Sequence, residues 1–290
     1  MQVPAPFQYE RATSVDHALA LLARYGPESR VVAGGHSLLP MMKLRLAQPE
    51  ALVDINDIAE LAQIRIEDNH LSLGAMVRHA QLLDSALASE HFAILREAER
   101  VIADPIVRNR GTVGGSLCQA DPSEDLSSVF CALRADLVCQ GPDGKRTVPA
   151  REFLTGPYET VLADGELLVE LRIRIRANGS AYQKVERRAG DWAVAAAGAV
   201  VELSGDTISD IGIGLTAVGA EGNVAEEAEH FLRGGPATEE RFVEAGRLAA
   251  AHCSPSADQR GPVDYKRHLA GELVTRAVRI AVGRANGVEA

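Results

Sequence analysis

The chain has 290 residues, of which 46% are hydrophobic and 24% are charged, a balance typical of a soluble globular protein with two or three subdomains. Its formal net charge of −10 argues against nucleic acid as a partner, because nucleic acid selects a basic face. No apolar run approaches the roughly 20 residues that cross a bilayer, and the N-terminus lacks a signal-peptide pattern. We therefore expect a cytoplasmic chain without a transmembrane segment.

The first 55 residues are predicted to form a βαβ-like unit, because apolar runs bounded by turn residues flank one helical pattern. Lys43 and Arg45 lie in this unit; they either meet cofactor phosphates or form a solvated basic face. The predicted elements are strands at 7–9, 31–33 and 52–55, a helix from Ser14 to Gly26-Pro27, and a helical turn at 41–46.

Residues 56–177 mix strands with helices. Arg172, Arg174 and Arg176 alternate with apolar residues, and we interpret this pattern as a half-buried antiparallel edge strand. The predicted strands are 64–67, 71–73, 135–140, 146–148 and 167–175, with turns at 68–70 and 141–144, and the predicted helices are 79–85, 92–102 and 126–133.

Residues 178–290 are predicted to form a separate unit of sheet and helices after a linker at 177–180, where turn residues cluster. A three-stranded antiparallel sheet is followed by a small helical bundle, which makes the whole chain an α+β protein. The predicted strands are 182–186, 193–203 and 208–215, the helices are 225–232, 239–253 and 265–288, and a short tail occupies 286–290.

The cysteines and histidines do not indicate a metal site. No C-x-x-C, H-x-x-x-H or H-E-x-x-H spacing occurs, so we predict no disulfide and no metal ligands. Cys118 is either a small buried hydrophobic residue or a neighbour of a cofactor. The predicted free thiols are Cys118, Cys131, Cys139 and Cys253.

Two glycine-rich stretches are the candidate binding elements: the first glycine segment, residues 31–38 (V-V-A-G-G-H-S-L), and the second glycine segment, residues 110–116 (R-G-T-V-G-G-S). Glycines allow positive φ and close approach of a ligand to backbone N–H groups, and residues 121–125 could start a helix, a favourable place for an anion. Each segment could equally be a tight strand-to-helix turn. Residues 108–110 either face an anion, brace the loop or are solvated. Neither segment matches the Rossmann or P-loop pattern.

The two segments together resemble the FAD-binding subunits of molybdenum hydroxylases, most closely the medium subunits of aerobic carbon monoxide dehydrogenases. The stretches F-L-T-G-P-Y-E-T at 153–160, K-V-E-R-R-A-G-D-W-A at 184–193 and Y-K-R-H-L at 265–269 support the resemblance, which spans almost the whole chain. It implies a vanillyl-alcohol-oxidase-type FAD-binding domain at 1–177, with subdomains of about 1–55 and 56–177, and a C-terminal domain at 178–290.

The resemblance also implies non-covalent FAD and a set of contact residues, with no catalytic acid or base needed on this chain. Asp125 would accept a hydrogen bond from a cofactor hydroxyl, or else only start a helix; Trp192 would lie near the flavin ring, or else in the core. Valine at Gly35 or Gly114 is expected to abolish FAD binding in a folded chain. The implied contacts are Val31, Val32, Ala33, Gly34, Gly35, His36, Ser37, Leu38, Gly111, Thr112, Val113, Gly114, Gly115, Ser116 (where the family usually has Asn), Asp125 and Trp192.

The implied role is electron transfer within an assembly. A large subunit with a molybdopterin-type molybdenum cofactor would oxidise substrate, a small subunit with [2Fe–2S] clusters would relay electrons, and this chain would pass them to an external acceptor, which could place it at the inner face of the membrane. The expected assembly is a heterohexamer, a dimer of heterotrimers, and the first-choice substrate is carbon monoxide. Alternatives are an N-heteroaromatic or aldehyde hydroxylase, a stand-alone FAD-dependent oxidoreductase and a cofactor-free binding protein.

Overall fold

The computed structural model describes residues 3–288, so the end of the predicted tail, residues 289 and 290, lies outside the described residues. The first unit is a parallel three-stranded sheet in the order β1-β3-β2. Its main helix begins after Ser14, whose side chain accepts the His17 N–H, and ends at Gly26, whose φ is +66°. The elements are β1 (Gln8–Arg11), α1 (Val15–Tyr25), β2 (Ser29–Val32), α2 (Leu38–Lys43) and β3 (Ala51–Asp54).

The second unit is built on a five-stranded antiparallel sheet, and a run of helices covers one of its faces. The sheet order is β4-β5-β10-β6-β7. The strands are β4 (Ile64–Glu67), β5 (His70–Gly74), β6 (Asp136–Gly141), β7 (Gly144–Pro149) and β10 (Leu167–Arg174), with a small hairpin of β8 (Leu154–Gly156) and β9 (Glu159–Thr160) beside them. The helices are α3 (His79–Leu83), α4 (Ala86–His91), α5 (Ala93–Val101), α6 (Pro105–Arg108), α7 (Val113–Gln119), α8 (Asp125–Leu133) and α9 (Ala150–Phe153).

The strand β10 corrects one prediction. It lies in the centre of the sheet, between β5 and β6, and is not an edge strand. Arg172 and Arg174 are exposed while Leu171 and Ile173 are buried. The alternation therefore marks the solvent-facing side of an antiparallel sheet, a property that central and edge strands share.

The third unit is the predicted three-stranded antiparallel sheet, in the order β11-β12-β13, with a helical layer against it. The alanine-rich face of α12 packs against β11 and β12, and α11 packs against α12 and α10. The elements are β11 (Gly179–Val185), β12 (Ala195–Ser204), β13 (Thr207–Thr216), α10 (Glu226–Leu232), α11 (Glu239–His252) and α12 (Val263–Ala285).

The helix α8 joins the second and third units. All nine of its residues are buried, and it packs on β12 and β13 as well as on helices of its own unit. A Cβ atom at Gly212 or Gly214 of β13 would lie 2.0 Å from the backbone oxygen of Ala132 or Ser128 in α8. The start of α8, which carries Glu124 and Asp125, is therefore fixed against the C-terminal sheet.

Candidate functional site

The two glycine segments are in direct contact, although they are far apart in sequence. A Cβ atom at Gly34 would lie 2.4 Å from the Arg110 carbonyl oxygen and 2.8 Å from the Gly111 Cα. Only a residue without a side chain allows this approach of two backbones. The structure therefore brings the two predicted binding elements together.

A polar bridge holds the two segments in place. Asn56 Nδ2 donates to the Ala33 carbonyl oxygen at 2.8 Å, and the Asn56 Oδ1 accepts from Arg78 Nη2 at 2.5 Å. Arg78 Nη1 donates in turn to the Arg110 carbonyl oxygen. Burial lowers the pKa of Arg78, and the nearby Arg110 charge lowers it further, while Asp54 opposes both. Sequence reasoning missed Asn56 and Arg78, which lie in no glycine-rich or charged motif.

The first glycine segment leaves backbone donors available. Gly35 has a φ of +80° and turns the chain between β2 and α2. Within residues 3–288, the backbone N–H groups of Gly35, His36 and Ser37 find no hydrogen-bond acceptor. His36 and Ser37 are exposed. Consecutive free N–H groups in a turn are suited to bind the oxygens of an anion.

The second glycine segment differs from the prediction, because it starts a helix. Thr112 caps α7, and its side chain accepts the Gly115 N–H at 3.1 Å. The N–H groups of Val113 and Gly114 donate to the carbonyl oxygens of Val77 and Ala75, each at 2.9 Å. The glycines of this segment do not have positive φ. The expectation that they expose N–H groups through unusual backbone angles is wrong for Gly114 and Gly115.

Close packing explains why glycine occupies these positions. A Cβ atom at Gly114 would lie 2.6 Å from the Ala75 Cβ and 2.7 Å from the Ala75 carbonyl oxygen. At Gly111 it would lie 2.7 Å from the His79 ring. Valine at position 114 would therefore strike the backbone next to β5, which contradicts the expectation that such a variant folds normally.

A buried chain of side chains ends at the second glycine segment. His79 Nε2 lies 3.2 Å from Ser116 Oγ, and His79 Nδ1 lies 3.0 Å from the Glu99 carboxylate. His79 and Glu99 are buried, and Ser116 is half-buried. Burial lowers the pKa of His79, but Glu99 and the more distant Glu124 and Asp125 raise it by more, so the net direction is upward. Burial raises the pKa of Glu99, and His79 opposes this shift.

Asp125 belongs to a second buried network. Its two oxygens accept from the Tyr182 hydroxyl at 2.6 Å and from Lys184 Nζ at 2.8 Å. Burial raises the pKa of Asp125, which Lys184 and Tyr182 counteract. Glu124 caps α8 by accepting the N–H groups of Leu126 and Ser127, so the prediction of a helix start here is confirmed. Burial raises the pKa of Glu124 to about 7.

Trp192 and Cys118 are both exposed, which corrects two interpretations. Trp192 retains 45% of its surface and lies in the loop between β11 and β12, so the core alternative is wrong. Cys118 is not a small buried residue of the core.

Burial raises the pKa of the Cys131 thiol to about 12, as expected of an inert core cysteine.

The basic residues near the glycine segments have separate roles. Arg108 braces the chain by donating to the carbonyl oxygens of Ile102 and Ala103, at 2.7 and 3.0 Å. Arg110, Lys43 and Arg45 are exposed. Of the other predicted contacts, Val32, Thr112 and Val113 are buried, whereas Val31, Ala33, Leu38 and Gly115 are half-buried.

A cavity of about 360 Å³ lies elsewhere, lined by residues such as Ser14, Glu60, Arg65 and Glu170, and it contains none of the predicted contacts. Within residues 3–288, no group of three acidic, histidine or cysteine side chains could hold a metal ion. None of the helices in this range is long and apolar enough to span a membrane.

Comparison with known families identifies the chain. The family model described as the FAD binding domain in molybdopterin dehydrogenase matches residues 5–173. The chain belongs to this family. A second model, described as the CO dehydrogenase flavoprotein C-terminal domain, matches residues 180–281. The predicted family and the predicted class of enzyme, an oxidoreductase subunit, are thus confirmed.

Individual relatives agree over nearly the full length. The carbon monoxide dehydrogenase medium chain of Hydrogenophaga pseudoflava is 43% identical, over 97% of this chain and 99% of that protein. The corresponding medium chain of Afipia carboxidovorans is 40% identical, over 98% and 99%. The structure of carbon monoxide dehydrogenase from H. pseudoflava lacking the Mo-pyranopterin moiety superimposes with a TM-score of 0.93 and 44% identity, over 97% of this chain and 99% of that chain. The predicted α+β fold is confirmed.

Proposed function

We propose that this chain binds one FAD non-covalently and serves as the electron-transfer subunit of a carbon monoxide dehydrogenase-type molybdenum hydroxylase. The observation that carries the proposal is the contact between the two glycine segments, with three free N–H groups on one side of it. FAD carries a diphosphate, and such a row of donors beside Arg110 is suited to bind its oxygens. The family membership supports the same cofactor.

The residues of this chain would bind and orient the cofactor, and bound FAD would supply the redox chemistry. Gly35, His36 and Ser37 would hold the diphosphate through their N–H groups. The second segment would offer side chains, above all the Ser116 hydroxyl, because the N–H groups from Val113 to Ser116 already have acceptors. Asp125 and Trp192 stay predictions. The carboxylate of Asp125 is already bonded to Tyr182 and Lys184, whereas Trp192 has an exposed face that a flavin ring could cover.

The proposed partners are a small iron–sulfur subunit, which would supply electrons, and a large molybdenum subunit, which would oxidise the substrate. Relatives named as medium chains support membership of an assembly. Carbon monoxide is the proposed substrate of that assembly, because the two relatives described above are carbon monoxide dehydrogenase chains. A heterohexamer and an external electron acceptor complete the proposal.

Purification of the tagged chain with its co-expressed partners tests the proposal. We expect one FAD per chain, released into the supernatant on acid precipitation, and bleaching of the flavin absorption when carbon monoxide is added without oxygen. A yellow protein pellet would refute non-covalent binding. Bleaching by an aldehyde or an N-heteroaromatic compound, and not by carbon monoxide, would favour the alternative substrate classes. Bleaching of the isolated chain by an organic substrate would favour a stand-alone oxidoreductase.

A further inference from the structure

Hydrogen bonds link Glu99, His79 and Ser116 into a relay that neither the fold nor the family description explains. Its members come from α5, α3 and α7, and tertiary packing alone brings them together. Of the three, only Ser116 is within reach of solvent, and it lies in the second glycine segment. The relay therefore runs from the core to the proposed cofactor site.

The hydrogen-bond partners decide which nitrogen of His79 carries a proton. Both Glu99 oxygens lie within 3.1 Å of His79 Nδ1, and no other side chain or backbone group in residues 3–288 donates to them. When Glu99 is ionised, the form that Arg108 and His79 favour against burial, its carboxylate needs a donor, so Nδ1 holds a proton. The second nitrogen, Nε2, is then an acceptor in neutral His79 and a donor in the imidazolium form.

We propose that the protonation state of His79 sets whether the Ser116 hydroxyl acts as donor or acceptor toward the bound cofactor. Neutral His79 accepts the Ser116 hydroxyl hydrogen, which leaves only oxygen lone pairs facing the site. Protonated His79 donates to Ser116 Oγ, which frees the hydroxyl hydrogen to donate outward. The inference rests on the proposed FAD function and makes Ser116 and His79 positioning residues.

Phosphate and flavin carbonyl oxygens are acceptors, so they favour the form in which Ser116 donates. The charges around His79 support its protonation. Glu99 of α5, and Glu124 and Asp125 at the start of α8, raise the pKa of His79 against the effect of burial. Arg108 of α6 acts in the same direction, because it favours the ionised Glu99 carboxylate that stabilises protonated His79. FAD should thus bind more tightly at low pH, and bound FAD should raise the pKa of His79 further.

Asparagine at position 116 separates this mechanism from a direct effect of the His79 charge. Its amide offers both a donor and an acceptor, so it can satisfy either state of His79 and still donate to the cofactor. In Ser116→Asn, FAD affinity should be nearly independent of pH. His79→Gln should also abolish the pH dependence. His230→Gln is the matched control, because His230 is an exposed histidine of α10 and lies outside both glycine segments.

The experiment measures the Kd of FAD for the full chain between about pH 5 and 9, where histidine titrates. For the wild type and His230→Gln, we expect Kd to rise with pH by up to about tenfold per unit, the slope for one proton. Persistence of the rise in Ser116→Asn, or its loss in His230→Gln, would overturn the inference. If the wild type binds FAD without any pH dependence, only the inference about His79 is overturned. If it binds no FAD at any pH, the proposed function is overturned as well.

Direct titration gives a second measure if His79→Gln does not fold. With ¹³C-labelled histidine, the ring signal of His79 should titrate at higher pH in the FAD-bound wild type than in the FAD-free wild type. In Ser116→Asn this difference should shrink severalfold. An unchanged His79 titration on FAD binding would overturn the inference.

Discussion

Replacing Gly34 with alanine tests the contact between the glycine segments. The new Cβ would lie 2.4 Å from the Arg110 carbonyl oxygen, so the two backbones must separate. Forcing an extra methyl group into a packed contact costs about 1–3 kcal/mol. If the bound state bears this cost, FAD affinity should fall by about 5- to 150-fold.

Gly26→Ala is the matched control. Gly26 has a φ of +66°, and a Cβ atom there would meet nothing within 4 Å. The variant should therefore lose about 1–3 kcal/mol of stability through backbone strain alone. Because Gly26 lies at the end of α1, outside the glycine segments, its FAD affinity should remain that of the wild type.

Thermal unfolding and FAD titration of the wild type, Gly34→Ala and Gly26→Ala test this prediction. Both variants should unfold about 2–12 °C below the wild type, at about 2–4 °C for each kcal/mol. Only Gly34→Ala should bind FAD weakly. Wild-type affinity in Gly34→Ala, or an equal loss in Gly26→Ala, would refute the idea that the contact of the two segments forms the binding site.

Three further variants test other parts of the structure. Gly114→Val should fail to fold or lose most of its thermal stability, because its side chain would strike Ala75; a stable variant lacking only FAD would contradict the packing argument. Trp192→Ala should change the free energy of unfolding by no more than about 0.5 kcal/mol, since Trp192 is 45% exposed, but it should shift the flavin reduction potential. A loss of about 3–5 kcal/mol with an unchanged potential would show a core role. Glu124→Gln should flatten the pH dependence of the free energy of unfolding, because burial raises the pKa of Glu124 from 4.5 to about 7. In the wild type, the stability linked to protonation of Glu124 is complete below pH 4.5 and is lost as the pH rises to 7. The midpoints of urea unfolding of the wild type and the variant, measured across this pH range, test the prediction. The same pH profile in both proteins would show that Glu124 does not titrate there.

Local patterns were sufficient to predict those regular elements whose own residues begin and end them. The helix α1 has both a capping serine and a terminating glycine, and its apolar positions lie on one buried face. The strands β12 and β13 were both predicted, and they meet at a turn around Gly205, which has a φ of +59°. In such segments the residues that determine the element lie within it, so the sequence alone reveals them.

The helix α7 could not be predicted in this way. Two glycines in its first turn argue against a helix in isolation. The carbonyl oxygens of Ala75 and Val77 compensate by accepting the N–H groups of Gly114 and Val113. These acceptors lie far away in sequence, so no local pattern contains them.

The candidate site shows the same division. The glycine-rich pattern identified the two segments, and the structure shows that they touch. It did not reveal Asn56, Arg78 or the Glu99–His79 pair, because each acts through a contact between distant parts of the chain. A single histidine or arginine is too common a residue to predict such a role. Chain topology had to be known before their chemistry could be assigned.

The complete burial of α8 has a consequence for dividing the protein into fragments. A fragment ending near residue 177 would keep α8 but lose the sheet that covers one of its sides, and would expose the apolar residues that now face β12 and β13. Exposed surface of this kind leads to aggregation. Limited proteolysis between β10 and β11 should accordingly yield a nicked protein whose two pieces stay associated, and the separately produced halves should be recoverable in good yield only when they are expressed together.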